Sequence, residues 1–160
     1  MASLDASRPP RGDYSSRVID DSEAGGPTDR PLKVVVYSDD RSVRREVMLA
    51  LGRRPAADLV VEYHEVATQP ALLSAADAGG VDLFILDGEA VPAGGLGMAR
   101  QLKDEIYRCP PILVLIARPQ DAWLATWSRA DGVSAHPINA MALAQTAAGL
   151  LRKRLALSAQ

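Results

Sequence analysis

A chain of 160 residues with 48% apolar side chains has the material for one core, since single domains commonly run to about 100–150 residues. Its formal net charge of −2 excludes the broad positive field that direct nucleic-acid binding needs, and its single cysteine, Cys109, excludes an internal disulfide or a cysteine-built zinc cage and suits a reducing cytoplasm. No apolar run approaches the ~18–20 residues of a membrane span and no charged-then-apolar signal opens the chain, so direct membrane insertion is not expected.

Residues 1–31 hold four prolines, the Gly25–Gly26 pair and only scattered apolar side chains, too few to offset the entropy of folding. They read as a flexible amino-terminal tail. Its four arginines against five aspartates and one glutamate leave it with −2, the whole net charge of the chain, so the remainder is balanced. If the tail orders on a partner, Tyr14, Val18 and Ile19 are the side chains placed to anchor it.

From Leu32 onward, short apolar runs alternate with longer amphipathic segments, the pattern of a parallel sheet covered on both faces. Five βα units are expected. The predicted strands are Lys33–Ser38, Leu59–Val66, Val81–Asp87, Ile112–Ala117 and Gly132–Ala135. Glu62 and Glu65 interrupt the second and mark it as an edge. The predicted helices are Ser42–Arg53, Pro70–Ala78, Leu96–Tyr107, Gln120–Ala130 and Ala140–Leu155, with Pro119 opening the fourth and Asn139 capping the fifth. Right-handed crossovers then give an α/β, doubly wound sheet whose ligand site lies at the carboxyl ends of the strands. The domain is expected to span 32–155, with 156–160 as a short carboxyl-terminal tail.

Asp39 and Asp40 end the first strand and Asp87 ends the third, so three carboxylates could share one crevice. Their repulsion favours a cation among them or a proton on one of them. Mg²⁺, which takes one or two carboxylates, a carbonyl and several waters, is the natural ion. The competing reading of the same residues is that Asp39 or Asp40 caps the first helix and Asp87 ends its strand in a polar turn.

Val34-Val35-Val36-Tyr37-Ser38-Asp39-Asp40, the Arg44–Arg45 helix start, Leu83-Phe84-Ile85-Leu86-Asp87 and Asp131-Gly132-Val133-Ser134-Ala135-His136-Pro137 together resemble the receiver domain of two-component response regulators, in order and over about Leu32–Leu155. The resemblance implies a flavodoxin-like sheet of strand order 2-1-3-4-5, with Asp39 and Asp40 as the acidic metal-binding pair. Asp87 corresponds to the phospho-accepting aspartate, and Glu89 to the position whose carbonyl completes the metal site. Three positions depart from the family. Ile116 stands where a Thr or Ser hydroxyl is usual, His136 replaces the lysine before the proline, and Val133 replaces the switch aromatic. Pro92 also lies one residue farther from Asp87 than is usual. A hydrogen bond to a charged group contributes roughly 1.5–3 kcal/mol, so losing two phosphoryl ligands should weaken both phosphoryl retention and the response to it.

Other signals are weaker. The Gly94–Gly95 segment lacks a Walker lysine and a dinucleotide fingerprint, no Gly-x-Ser-x-Gly elbow exists, and His64 on the second strand reads as solvated. Arg152, Lys153 and Arg154 read as helix-end charges. Trp123 and Trp127 share one face of the fourth helix. Either Trp127 packs on the sheet with Leu124 while Trp123 is half covered, or the pair anchors a partner, as exposed tryptophan often does. Only five residues follow Leu155, so output is expected through protein contact rather than an attached DNA-binding or enzymatic domain. The expectation is therefore a non-enzymatic, stand-alone receiver serving as a regulatory or accessory subunit. The alternative is a working phosphorelay receiver that takes a phosphoryl group from a histidine kinase onto Asp87. The sequence also resembles actinobacterial orphan receivers, one of them encoded beside NADH:quinone oxidoreductase genes. That resemblance implies the peripheral arm of respiratory complex I as a candidate partner, which would hold the protein on the cytoplasmic side of the inner membrane.

Overall fold

The computed structural model describes residues 30–159. Tyr14, Val18, Ile19 and almost all of the expected tail therefore lie outside the described residues. From Leu32 the chain alternates strand and helix: β1 (Leu32–Tyr37), α1 (Arg41–Leu51), β2 (Val61–Val66), α2 (Gln69–Ala78), β3 (Leu83–Asp87), α3 (Gly95–Glu105), β4 (Ile112–Ile116), α4 (Trp123–Ser128), β5 (Gly132–Ala135) and α5 (Ala140–Ser158). The five strands are all parallel and lie in the order β2-β1-β3-β4-β5.

The apolar runs of β1, β3 and β4 follow from that order, because the three inner strands are covered on both faces. Alternate residues serve opposite layers. Val34, Val36, Leu83, Ile85, Leu113 and Leu115 meet Val47 and Leu51 of α1 and Leu143, Ala147 and Leu151 of α5. Val35, Tyr37, Phe84, Leu86, Ile112 and Val114 meet Leu72 of α2, Met98, Ala99 and Leu102 of α3, and Ala125 of α4. β2 is an edge strand, as Glu62 and Glu65 foretold, and both glutamates are exposed.

Local chemistry sets most helix ends. Thr68 Oγ1 accepts from Ala71 N–H at the start of α2, and Asn139 Oδ1 accepts from Ala142 N–H at 2.9 Å at the start of α5. Gly52 and Gly79, at φ 62° and 75°, close α1 and α2 in a backbone region that other residues seldom enter. At the amino ends of the strands, Asp82 Oδ2 accepts from Lys33 N–H and Asp131 Oδ2 from Ile112 N–H, at 2.9 and 2.8 Å, tying loops to β1 and β4.

Several boundaries differ from the sequence reading. The fourth helix, expected over Gln120–Ala130, divides into a 3₁₀ turn at Pro119–Asp121 and a six-residue α4 that ends where Arg129 turns left-handed at φ 63°. It buries only Ala125 and Ser128, so little packing supports further turns. α5 continues to Ser158 rather than stopping at Leu155. β2 begins at Val61, because Leu59 instead bridges Ala56.

Tyr63, on β2, donates its hydroxyl hydrogen to Gly52 O at the end of α1, and burial pushes its phenol up to about 12. A free tyrosine loses its proton near pH 10, so above that pH the unfolded chain holds fewer protons than the folded one and stability falls. Stability should therefore decline from about pH 10 to 12 in the native protein. Tyr63→Phe should flatten that decline, whatever its effect at neutral pH. Urea midpoints at several alkaline pH values measure it, and parallel slopes for the two proteins would remove Tyr63 as the cause.

Candidate functional site

Residues 38 and 87 are far apart in the chain and adjacent in the sheet, because Tyr37 pairs with Leu86. Both side chains are buried. Ser38 Oγ donates to Asp87 Oδ2 at 2.7 Å and accepts from Asp40 N–H at 3.0 Å. Glu89 N–H donates to Asp87 Oδ1 at 2.9 Å, and Ala90 N–H to Asp87 O at 3.1 Å. Both carboxylate oxygens of Asp87 thus have donors from this chain, as a buried carboxylate requires. Glycine makes the enclosure possible: a Cβ on Gly95, the first residue of α3, would lie 2.5 Å from Asp87 O, and one on Gly88 would lie 2.5 Å from Leu115 O.

The two aspartates that follow Ser38 have separate partners. Asp39 is exposed, and its Oδ1 accepts from Val91 N–H at 3.0 Å, pinning the loop after β3 to the end of β1. Asp40 is the correction. It is the N-cap of α1, where its Oδ1 accepts from Ser42 N–H at 2.8 Å and Ser42 Oγ at 2.6 Å, and these bonds hold its carboxyl below the usual carboxylate range. The first N–H groups of a helix lack intrahelical partners, and a carboxylate beside them is the natural acceptor. Glu89 contributes its N–H to Asp87 while its side chain is exposed. Among the described residues no three His, Cys, Asp or Glu side chains are grouped so as to hold a metal ion. Of the four expected Mg²⁺ ligands, Asp40 is committed to the α1 cap, which leaves Asp39, Asp87 and the Glu89 carbonyl as the residues that would hold the ion.

Ser38 is the residue the sequence reading missed. Its signal was the polar triplet Ser38–Asp39–Asp40. Once Asp40, two residues before Ser42, is taken as a helix cap, Ser38 becomes the strand-end side chain that faces Asp87.

The residues around the pocket are apolar or weakly polar. Ile116 is buried in the layer that also holds Ala90, and Ala135 packs against it. It offers no donor. His136 is half-buried and its N–H bonds Ile116 O at 2.9 Å, with a cis peptide to Pro137. Val133, on the edge strand β5, is 36% exposed. Beneath the pocket the buried Tyr37 hydroxyl donates to Ala93 O at 2.5 Å, and its phenol is pushed above the ordinary value by burial and then by the charges of Asp39 and Asp87. His64 is exposed on β2.

No family model matches the chain. Two Mycobacterium tuberculosis proteins, from strains CDC 1551 and H37Rv and both described as uncharacterized response regulatory proteins, are 53% identical to it over 122 residues, which is 76% of this chain and 92% of theirs. The chain belongs to the response-regulator receiver family. Among solved structures, the chemotaxis response regulator CheY4 of Vibrio cholerae shares the fold, with a TM-score of 0.63 and 22% identity over 76% of this chain and 99% of that one. A receiver domain of an HD domain-containing protein from Pseudomonas fluorescens does so with a TM-score of 0.68 and 13% identity, over 82% and 94%. Within this receiver, Asp87 stands at the carboxyl end of the central strand, β3.

The tryptophans settle differently from the packed arrangement considered above. Both are exposed, Trp123 at 67% and Trp127 at 47%. The Arg100 guanidinium lies 5.0 Å over the Trp127 ring and donates to Trp127 O at 3.0 Å, so Trp127 is engaged within the fold. Trp123 projects from the same short helix. No helix among the described residues is long and apolar enough to cross a membrane.

Ser38→Ala should lower stability by about 1–3 kcal/mol, because Asp87 Oδ2 is left buried without its donor. Gly95→Ala should be destabilising by a similar ~1–3 kcal/mol, since its methyl group meets the Asp87 backbone and α3 must shift. Urea denaturation measures both, and a change within error in either variant would show that the pocket relaxes around it.

Proposed function

We propose that this receiver is a non-enzymatic regulatory or accessory subunit that works through constitutive protein contact. The observation that carries the reading is the state of Asp87: both its carboxylate oxygens are held by Ser38 and Glu89, while Asp40 is committed to the α1 cap. Ile116 supplies no hydroxyl to hold a phosphoryl oxygen, and Val133 no aromatic to report one. A ligand that does not discriminate between two states shifts no population, so a partner surface on such a fold must be present at rest. Trp123, exposed on α4 and not engaged as Trp127 is, supports that surface. The candidate partner remains the peripheral arm of respiratory complex I, which would hold the protein at the cytoplasmic side of the inner membrane. Its support is the resemblance to orphan receivers.

A second reading, a working phosphorelay receiver served by a histidine kinase and Mg²⁺, is favoured by the survival of Asp87 at the end of β3 with Asp39 nearby. It is opposed by the capping role of Asp40.

Two experiments separate these readings. Incubated with Mg²⁺ and acetyl phosphate, the protein should show little long-lived mass gain, whereas stoichiometric phosphorylation at Asp87 would establish the relay. In co-purification with complex I peripheral-arm subunits, Trp123→Ala should release the partner, a loss of ~2 kcal/mol or more at an interface anchor. Asp87→Ala should leave binding nearly unchanged, with circular dichroism confirming both folds. The reverse pattern would favour the relay.

A further inference from the structure

At the amino ends of the strands, away from Asp87, two clefts of roughly 130 and 170 Å³ share one lining residue, Arg154 of α5. The first runs between Lys103, Cys109, Asp131, Lys153 and Leu157, with the Asp131 carboxylate spent on Lys103 and Ile112 N–H; the second runs between Gly80, Ile106, Tyr107 and Arg108. Several nearby cations are neutralised within the fold. Lys103 Nζ lies 2.6 Å from Asp131 Oδ2, Arg129 pairs with Asp104, and Arg152 makes two bonds to Asp58 at 3.0 and 2.7 Å. Arg108, Lys153 and Arg154 have no carboxylate within ion-pair reach among the described residues. Arg154 Nε goes further: it is the one buried side-chain nitrogen or oxygen among the described residues without a hydrogen-bond partner. A buried donor without an acceptor is destabilising, and far more so when it belongs to a charged group.

The clefts are not simply cationic. Leu150 and Pro111 line the first, Val81 and Phe84 the second, and Tyr107 and Leu157 stand 84% and 64% exposed beside them. The Arg108 guanidinium lies 5.3 Å over the Tyr107 ring. A small inorganic anion would answer the charge and leave Tyr107 and Leu157 in water. A peptide bearing both carboxylates and apolar side chains answers both.

We propose that this face, built around Arg154, is a docking site for an acidic, partly apolar segment of a partner protein, with a carboxylate of that segment pairing with the Arg154 guanidinium. Lys153 and Arg108 flank that bond and set the preference for negative charge, while Tyr107 and Leu157 receive the apolar side chains. The site is separate from both the Asp87 pocket and Trp123, so it stands or falls without the function proposed above.

The test uses the full chain and a fluorescein-labelled peptide Leu-Glu-Asp-Leu-Glu-Asp-Leu, followed by anisotropy at near-physiological salt. Its Gln/Asn counterpart and unlabelled inorganic phosphate serve as competitors. The acidic peptide should bind saturably and slow alkylation of Cys109, which lines the first cleft. Arg154→Met should weaken binding by roughly tenfold or more, the loss expected for one hydrogen bond to a charged group. Lys153→Gln should weaken it too, providing a second variant should Arg154→Met fail to fold by circular dichroism. Arg152→Met, which removes a neighbouring charge already paired with Asp58, should leave binding unchanged. The proposal is overturned by any of four results: no saturation at millimolar peptide, equal binding of the Gln/Asn peptide, equal loss in Arg152→Met, or full displacement by an equal concentration of phosphate.

Discussion

The Asp87 carboxylate, buried at the carboxyl end of the central strand, constrains much of this molecule. A charge in that position survives only if both its oxygens find donors, and one donor, the Ser38 hydroxyl, lies 49 residues earlier in the sequence. The bond therefore depends on β1 and β3 being neighbours, which a parallel sheet achieves only through the crossover carrying α1, β2 and α2. The other donor is local: the chain turns immediately after β3, so that Glu89 N–H points back at the strand end. Gly95 completes the arrangement by letting α3 begin against the Asp87 backbone, where a side chain has no room.

The same constraint separates the two aspartates that follow Ser38. Side by side in the chain, they do unrelated work. Asp39 holds the loop after β3 through Val91 N–H, and Asp40 caps α1. A pocket with three converging carboxylates would carry a repulsion that some cation must relieve. A serine hydroxyl on Asp87 instead supplies a donor from the chain itself, so the buried carboxylate is satisfied within the fold.

Polarity is instead displaced to the surfaces. Trp123 stands exposed on a helix of six residues that buries only Ala125 and Ser128. At the amino ends of the strands gather cations that have no carboxylate partner among the described residues, where Asp131 and Asp82 are already committed, the first to Ile112 N–H and Lys103 and the second to Lys33 N–H. The two surfaces differ in chemistry, one aromatic and the other cationic with apolar walls.

Sequence pattern by itself determined the class of the fold. The runs of β1, β3 and β4 are apolar because both faces are covered, and the charges of β2 mark an edge, so the doubly wound sheet was legible from hydrophobic periodicity. The roles expected of Asp87, Ile116, Val133 and His136 came instead from the resemblance of the strand-end motifs to the receiver family. What only tertiary structure decided was direction. Adjacent polar residues in Ser38–Asp39–Asp40 are equivalent as letters, and which one meets Asp87 depends on where β1 stops and α1 begins, a boundary that local propensity places only to within a few residues. The exposure of both tryptophans was likewise hidden, because a four-residue spacing establishes a shared face but not what that face meets. Arg152, Lys153 and Arg154 read alike as helix-end charges. Only the position of Asp58, distant in sequence and adjacent in space, paired the first, while the other two have no carboxylate partner among the described residues.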